Sequence, residues 1–177
     1  MKYLSLLLLL VSCGSEVKSD LPPGKVRLLV NDQILNRGSL DEIMLPLTWW
    51  VNLADDEEKY MRDLQRFSKD QRFVYATRAY IKVAAEQGHY QFFNSTNKMV
   101  WADALEGAKS FGLNEHAQIL ERAINKMKTG KLEDADFEDE DVDLLNLNEK
   151  EDPGKFILEY VRSHRKKFYY EEIVTKP

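Results

Sequence analysis

The chain carries a single cysteine, Cys13, among its 177 residues, and this excludes an internal disulfide. It has no glycine-rich phosphate loop and no Gly-x-Ser-x-Gly elbow, so neither a cradle for nucleotide phosphates nor a serine nucleophile turn is written into it. The three histidines, His89, His116 and His164, lie far apart and show no paired spacing of the kind a zinc site uses. A surplus of basic charge is absent too. The formal net charge is -5 and the sequence pI about 5.3, which speaks against direct nucleic-acid binding, since such domains show a basic face and a high pI. The sequence therefore implies no catalytic residues, cofactor, metal or small-molecule substrate.

What is present begins at the N-terminus. Lys2 precedes the apolar run Leu4–Val11, which is too short to cross a hydrocarbon core of roughly 30 Å and reads as the apolar region of a signal peptide. The run ends in Leu10-Val11-Ser12-Cys13, which resembles the lipobox of bacterial lipoproteins, where a cysteine thiol takes the lipid before cleavage. Residues 1–12 are thus expected to be a lipoprotein signal peptide, and Cys13 the lipidated residue. Residues 13–24, with Pro22-Pro23-Gly24, read as a flexible tether. That arrangement predicts attachment to a membrane of the bacterial envelope through acyl chains. Gly14, not Asp, follows the cysteine, which favours the outer membrane where there are two.

Residues 25–177 have the length of one domain. The pattern is mainly α, a single multi-helix domain of antiparallel helices, and the weak alternation of Lys25–Asp32 allows one short strand near its N-terminus. Ser39 with Glu42, and Ser68 with Gln71, form capping boxes. The first opens a helix through Leu53 that Pro46 kinks or divides. Trp49 and Trp50 read as core packing rather than as an aromatic platform. Asp55–Phe67 is a charged helix. Phe73, Ala76, Thr77, Tyr80, Ile81 and Ala84 recur at helical spacing. Arg78, Lys82 and Glu86 mark the wet face of that helix, and Gly88 sits where it should stop. Trp101, Ala104, Leu105, Ala108 and Phe111 form a further stripe ended by Gly112. Asn114 caps the next helix, with Leu120, Ala123, Ile124 and Met127 on its apolar edge. Asp152 and Pro153 open a last helix, whose edge is Ile157, Tyr160, Val161, His164 and Phe168. Arg162, Arg165, Lys166 and Lys167 complement its dipole, or else form a patch for phosphates or lipid headgroups. Residues 169–177 are a strand or a loose end.

Residues 131–152 concentrate the acidity. They hold Glu133, Asp134, Asp136, Glu138, Asp139, Glu140, Asp141, Asp143, Glu149, Glu151 and Asp152 against Lys131 and Lys150, a local charge of about -9. A calcium loop needs glycine at position 6 and glutamate at position 12. From Asp134 those positions are Asp139 and Leu145, and from Asp136 they are Asp141 and Leu147, so the template fails. The stretch reads as a solvated loop pinned to the core by Val142, Leu144, Leu145 and Leu147, with an acidic partner-binding surface from Glu133 to Asp143 as the alternative.

The centre of the chain is Gln87-Gly88-His89-Tyr90-Gln91-Phe92-Phe93-Asn94. It is expected to be one packed turn that puts Phe92 and Phe93 into the core. Gln91 and Asn94 share a side and are expected to satisfy backbone groups at the Gly88 joint rather than contact a ligand. His89 is expected at the surface or an edge. Glu86–Ser95, followed by Ala104-Leu105, Gly112 and Ile119–Ala123, resembles the family named for the C-terminal domain of a bacterial DNA-mimic protein, otherwise a domain of unknown function. Its motif reads roughly N-G-G-[FY]-x-Q-[FY]-F-x-N. Glu86-Gln87 depart from it, whereas Gly88, Tyr90, Gln91, Phe92, Phe93 and Asn94 keep it or nearly keep it, and the likeness runs over about 68–168.

Three functions follow as expectations. The first is a membrane-anchored lipoprotein whose helical domain binds an unknown protein partner without catalysis. The second, implied by the resemblance, is DNA mimicry, in which an acidic surface occupies a DNA-binding protein. The third is a hydrolase using Glu86 or Glu106 beside His89.

Overall fold

The computed structural model describes residues 21–51, 56–130 and 133–175. Cys13, the predicted signal peptide, most of the tether, and Leu53, Asp55 and Lys131 lie outside them. Among the described residues there are eight α-helices and one two-stranded antiparallel sheet, the mainly α architecture the apolar spacing predicts.

The sheet joins the two ends of the domain. Strand β1 (Lys25–Val30) pairs with β2 (Tyr170–Thr175), Lys25 opposite Thr175 and Val30 opposite Tyr170. Leu28, Val30 and Val174 point inward and are buried, as a two-residue period requires. Two short helices follow, α1 (Asp32–Arg37) and α2 (Leu40–Trp50). Both bonds of the Ser39–Glu42 capping box are made, and Pro46 lies within α2 without ending it. The helix stops at Trp50. Its tryptophans are half-buried, and Trp50 packs against the edge of the core. The Trp50 Nε1–H donates to Glu172 Oε2 at 3.1 Å, and the Arg66 guanidinium lies 4.1 Å from the ring centroid. An indole with its polar edge at a sheet and a cation on its face is stable half-wet.

Helix α3 (Glu57–Leu64), capped by Asp56, leads to the long α4 (Lys69–Asn94). The Ser68–Gln71 box opens α4, and Gly88 breaks it with φ 83° and ψ 162°. The segment His89–Asn94 resumes as helix and buries Phe92 and Phe93. A 3₁₀ turn at Thr96–Val100 leads into α5 (Trp101–Ser110). Helices α4 and α5 pack closely because Gly107 has no side chain: a Cβ there would meet Thr77 Oγ1 and lie 2.9 Å from the Phe73 carbonyl oxygen. The Thr77 hydroxyl donates to the Ala104 carbonyl at 3.2 Å across the same contact.

Helix α6 (Asn114–Lys128) begins one residue earlier than an asparagine cap requires: its N-cap is Leu113, which makes no side-chain bond. The acidic stretch, read from sequence as a loop, is folded. It forms a 3₁₀ turn at Asp134–Phe137 and then α7 (Glu138–Lys150). Phe137, Leu144 and Leu147 are buried, while Val142 and Leu145 are 51% and 50% exposed, so of the four expected pins only Leu144 and Leu147 hold it. Helix α8 (Pro153–Ser163) is capped by the Asp152 carboxylate on the Gly154 amide. Two of the four cations at its end are paired with acids, Arg165 with Asp32 at 2.5 Å and Lys167 with Asp70 at 2.8 Å, while Arg162 Nε donates to the Leu35 carbonyl. These bonds fasten α8 and the turn after it to α1 and α4.

Candidate functional site

The break at Gly88 and the acidic helix α7 are one construction. With φ and ψ in a region that only glycine enters without strain, Gly88 turns the chain so that the next amide points at α7. The Asp141 carboxylate meets it there. Asp141 Oδ1 accepts from the His89 main-chain N–H at 2.8 Å and lies 2.5 Å from His89 Nδ1. A carboxylate on Nδ1 requires that nitrogen to carry the proton, and in the neutral ring Nε2 then accepts from the Tyr80 hydroxyl at 2.9 Å. His89 is wholly buried, which corrects the expectation of a surface or edge residue. Its ring is stacked near Phe137, with centroids 6.3 Å apart, and Tyr80 meets Phe92 edge-on at 5.3 Å. Burial pushes the Tyr80 phenol far above its ordinary value, reinforced by the negative charges of Asp141 and Glu140, so it serves as a fixed donor.

The amides of the motif do none of this. Gln91 and Asn94 are exposed, and the backbone group they were expected to satisfy is taken by Asp141. Tyr90 is half-buried. Glu86 and Glu106 are exposed and do not bond His89, whose polar partners are Tyr80 and Asp141.

The eight acids from Glu133 to Asp143 divide into two groups. Glu140 is 2% exposed and sits between Lys126 Nζ at 2.5 Å and Arg122 Nε at 3.4 Å. A buried carboxylate is tolerated only when it is paired in this way. Asp141 holds His89, Asp143 pairs with Arg122, and the Asp136 carboxylate accepts from the Glu133 amide. Glu133, Asp134, Glu138 and Asp139 remain, all exposed and with no cation partner among the described residues. Glu138 and Asp139 lie in the first turn of α7, where the positive end of its dipole suits them, and Glu133 and Asp134 open the 3₁₀ turn before it.

Sequence reasoning missed the buried pairings, which join residues far apart in the chain. One signal was available: Phe137, Glu140, Leu144 and Leu147 fall at positions i, i+3, i+7 and i+10, a helical stripe with a glutamate in it. Among the described residues, no group of three or more His, Cys, Asp and Glu could hold a metal ion, and no helix is long and apolar enough to cross a membrane.

The fold and this surface define a helical domain with four exposed carboxylates, none with a cation partner among the described residues, in the first turn of α7 and the 3₁₀ turn before it. The profile of the DMP19-like proteins, named for DNA mimic protein 19, matches residues 65–164. The match takes in more than half of the chain, including Gly88, His89 and all of α7, and the chain belongs to that family. No curated protein and no solved structure matches it.

Proposed function

We propose that this chain is a DNA-mimic protein, whose exposed carboxylates at the start of α7 occupy the cation-rich surface that a DNA-binding protein otherwise offers to phosphates. The observation that carries the reading is the division among the eight acids. Glu140, Asp141, Asp143 and Asp136 are bonded to other parts of the fold, and this seats the backbone that carries Glu133, Asp134, Glu138 and Asp139. Charges fixed before binding avoid the ordering cost that a flexible acidic tail meets. Duplex DNA carries one charge per roughly 3.4 Å of each strand, and these four acids fall within seven consecutive residues. The chain's net charge is only -5, while residues 131–152 carry about -9, so the acidity is local and directional. The name of the family supports the same reading for its namesake.

The test is capture from a lysate of the producing cell with the chain as bait, followed by elution with duplex DNA. The expected result is a basic protein that DNA displaces, and that the neutralised variant Glu133→Gln, Asp134→Asn, Glu138→Gln, Asp139→Asn fails to capture. Raising the salt should weaken the capture, because exposed charges are screened. A captured protein indifferent to both DNA and the variant would overturn the reading.

The sequence Leu10-Val11-Ser12-Cys13 favours a second proposal, about place: Cys13 carries a lipid, and the partner is then an envelope or exported protein rather than a chromosomal regulator. Palmitate-analogue label that is lost in Cys13→Ala supports this anchoring. Soluble, unlabelled protein removes it and leaves mimicry among cytoplasmic partners.

A further inference from the structure

Val142 and Leu145 are 51% and 50% exposed. They stand three apart on α7 and therefore form one apolar patch on its outer face. Glu138 lies four residues before the first and Glu149 four after the second, so the stripe reads acid, apolar, apolar, acid at helical spacing. Neither glutamate pairs with a cation among the described residues. The opposite face of the helix is fixed by Leu144 and Leu147 and by Glu140 between Arg122 and Lys126, and Asp141 on His89 holds the flank.

We infer that this stripe is the docking face for an amphipathic helix of the partner protein, one with two apolar side chains three or four apart and a Lys or Arg one turn beyond each. The inference rests on the reading of this end of α7 as partner-facing and specifies what the partner brings. Phosphate imitation alone needs no exposed valine and leucine, whereas a helix laid along α7 buries both and brings its cations to Glu138 and Glu149. A second copy of this chain is excluded by the same charges. Antiparallel pairing of two α7 helices that sets Val142 against Leu145 also sets Glu138 against Glu149, and parallel pairing sets each glutamate against itself. Like charges brought together and desolvated oppose association.

The probe is a synthetic helix-favouring peptide with two leucines three apart, bracketed by arginines, titrated into the full chain by fluorescence anisotropy. A scrambled peptide of the same composition serves as control. The variant Val142→Ser/Leu145→Ser should raise the peptide Kd about tenfold or more while leaving the thermal midpoint in place, since both side chains are half exposed. Glu138→Gln/Glu149→Gln should weaken binding and flatten its salt dependence. The inference is overturned if the wild-type chain ignores the peptide, if the scrambled peptide binds equally well, or if Val142→Ser/Leu145→Ser leaves the Kd unchanged. None of those results touches the DNA-elution experiment, which still decides mimicry. Ordered peptide binding without any DNA-displaceable partner would uphold the docking face and remove mimicry.

Discussion

Asp141 accepts two hydrogen bonds from His89, one from its main chain and one from its ring, through the same oxygen. A residue of the acidic helix thereby closes a break in the long central helix. Asp141→Ala would leave two buried donors unpaired, a loss of about 2–4 kcal/mol. The thermal midpoint should fall by on the order of 6–12 °C for a domain of this size. Asp141→Asn keeps an acceptor oxygen and should cost less. A melt of Asp141→Ala that superimposes on wild type would show that the pairing contributes nothing.

Gly88→Ala should destabilise the fold for two reasons that act together. The backbone at φ 83° and ψ 162° is essentially closed to residues with a Cβ, at a cost of about 1–3 kcal/mol. A Cβ there would also lie 3.0 Å from Asp141 Oδ2. Urea unfolding of Gly88→Ala alone and combined with Asp141→Ala separates the two. The double variant should lose less than the sum, because the contact is then gone.

At Gly107 the usual helix preference should be reversed. Alanine in place of glycine within an exposed helix gains about 1 kcal/mol, but here the new methyl would run into Thr77 and the Phe73 carbonyl. Net destabilisation of about 2–4 kcal/mol is expected, read as a lower urea midpoint. A stabilised variant would mean that α4 and α5 can separate without cost.

The acid arm of the stability curve should depend on Asp70. Burial raises its carboxyl pKa, but hydrogen bonds from Lys167 and Tyr160 outweigh this and leave it below the ordinary value. A depressed acid stabilises the fold above its unfolded pKa, near 3.9, and that contribution is lost as pH falls through the folded value. Asp70→Asn should therefore lower the urea midpoint at pH 7, and the gap to wild type should narrow below about pH 4. A gap that stays constant down to pH 2 would assign the effect to packing.

The legible parts of this chain were those whose partners lie within a turn. Ser39 with Glu42, Ser68 with Gln71, and Asp152 with the Gly154 amide are relations of two or three residues, and the helix starts they mark are where the sequence puts them. The acidic helix was not legible. Its aspartates and asparagines are poor helix formers, and its buried stripe is interrupted by Glu140, which is core only because Arg122 and Lys126 reach it from α6. His89 was misplaced for the same kind of reason, since Asp141 lies 52 positions away. In the motif itself, the aromatic residues carried their meaning in their own chemistry, and the amides did not. Trp50 packs against the core as its spacing implies, but its hold by Arg66 and Glu172 was not legible, since the second of these lies on the last strand.

The pairing of Lys25 with Thr175 sets an order on how the chain assembles. Among the described residues β1 pairs with β2 alone, so its hydrogen-bonding edge stays open until residues 170–175 have been made. Helices whose contacts are local form early, whereas a closure across 150 residues comes late. Through that interval Leu28 and Val30 can lean only on α1 and α2, the helices that follow at once, while the hydrogen-bonding edge of β1 stays open.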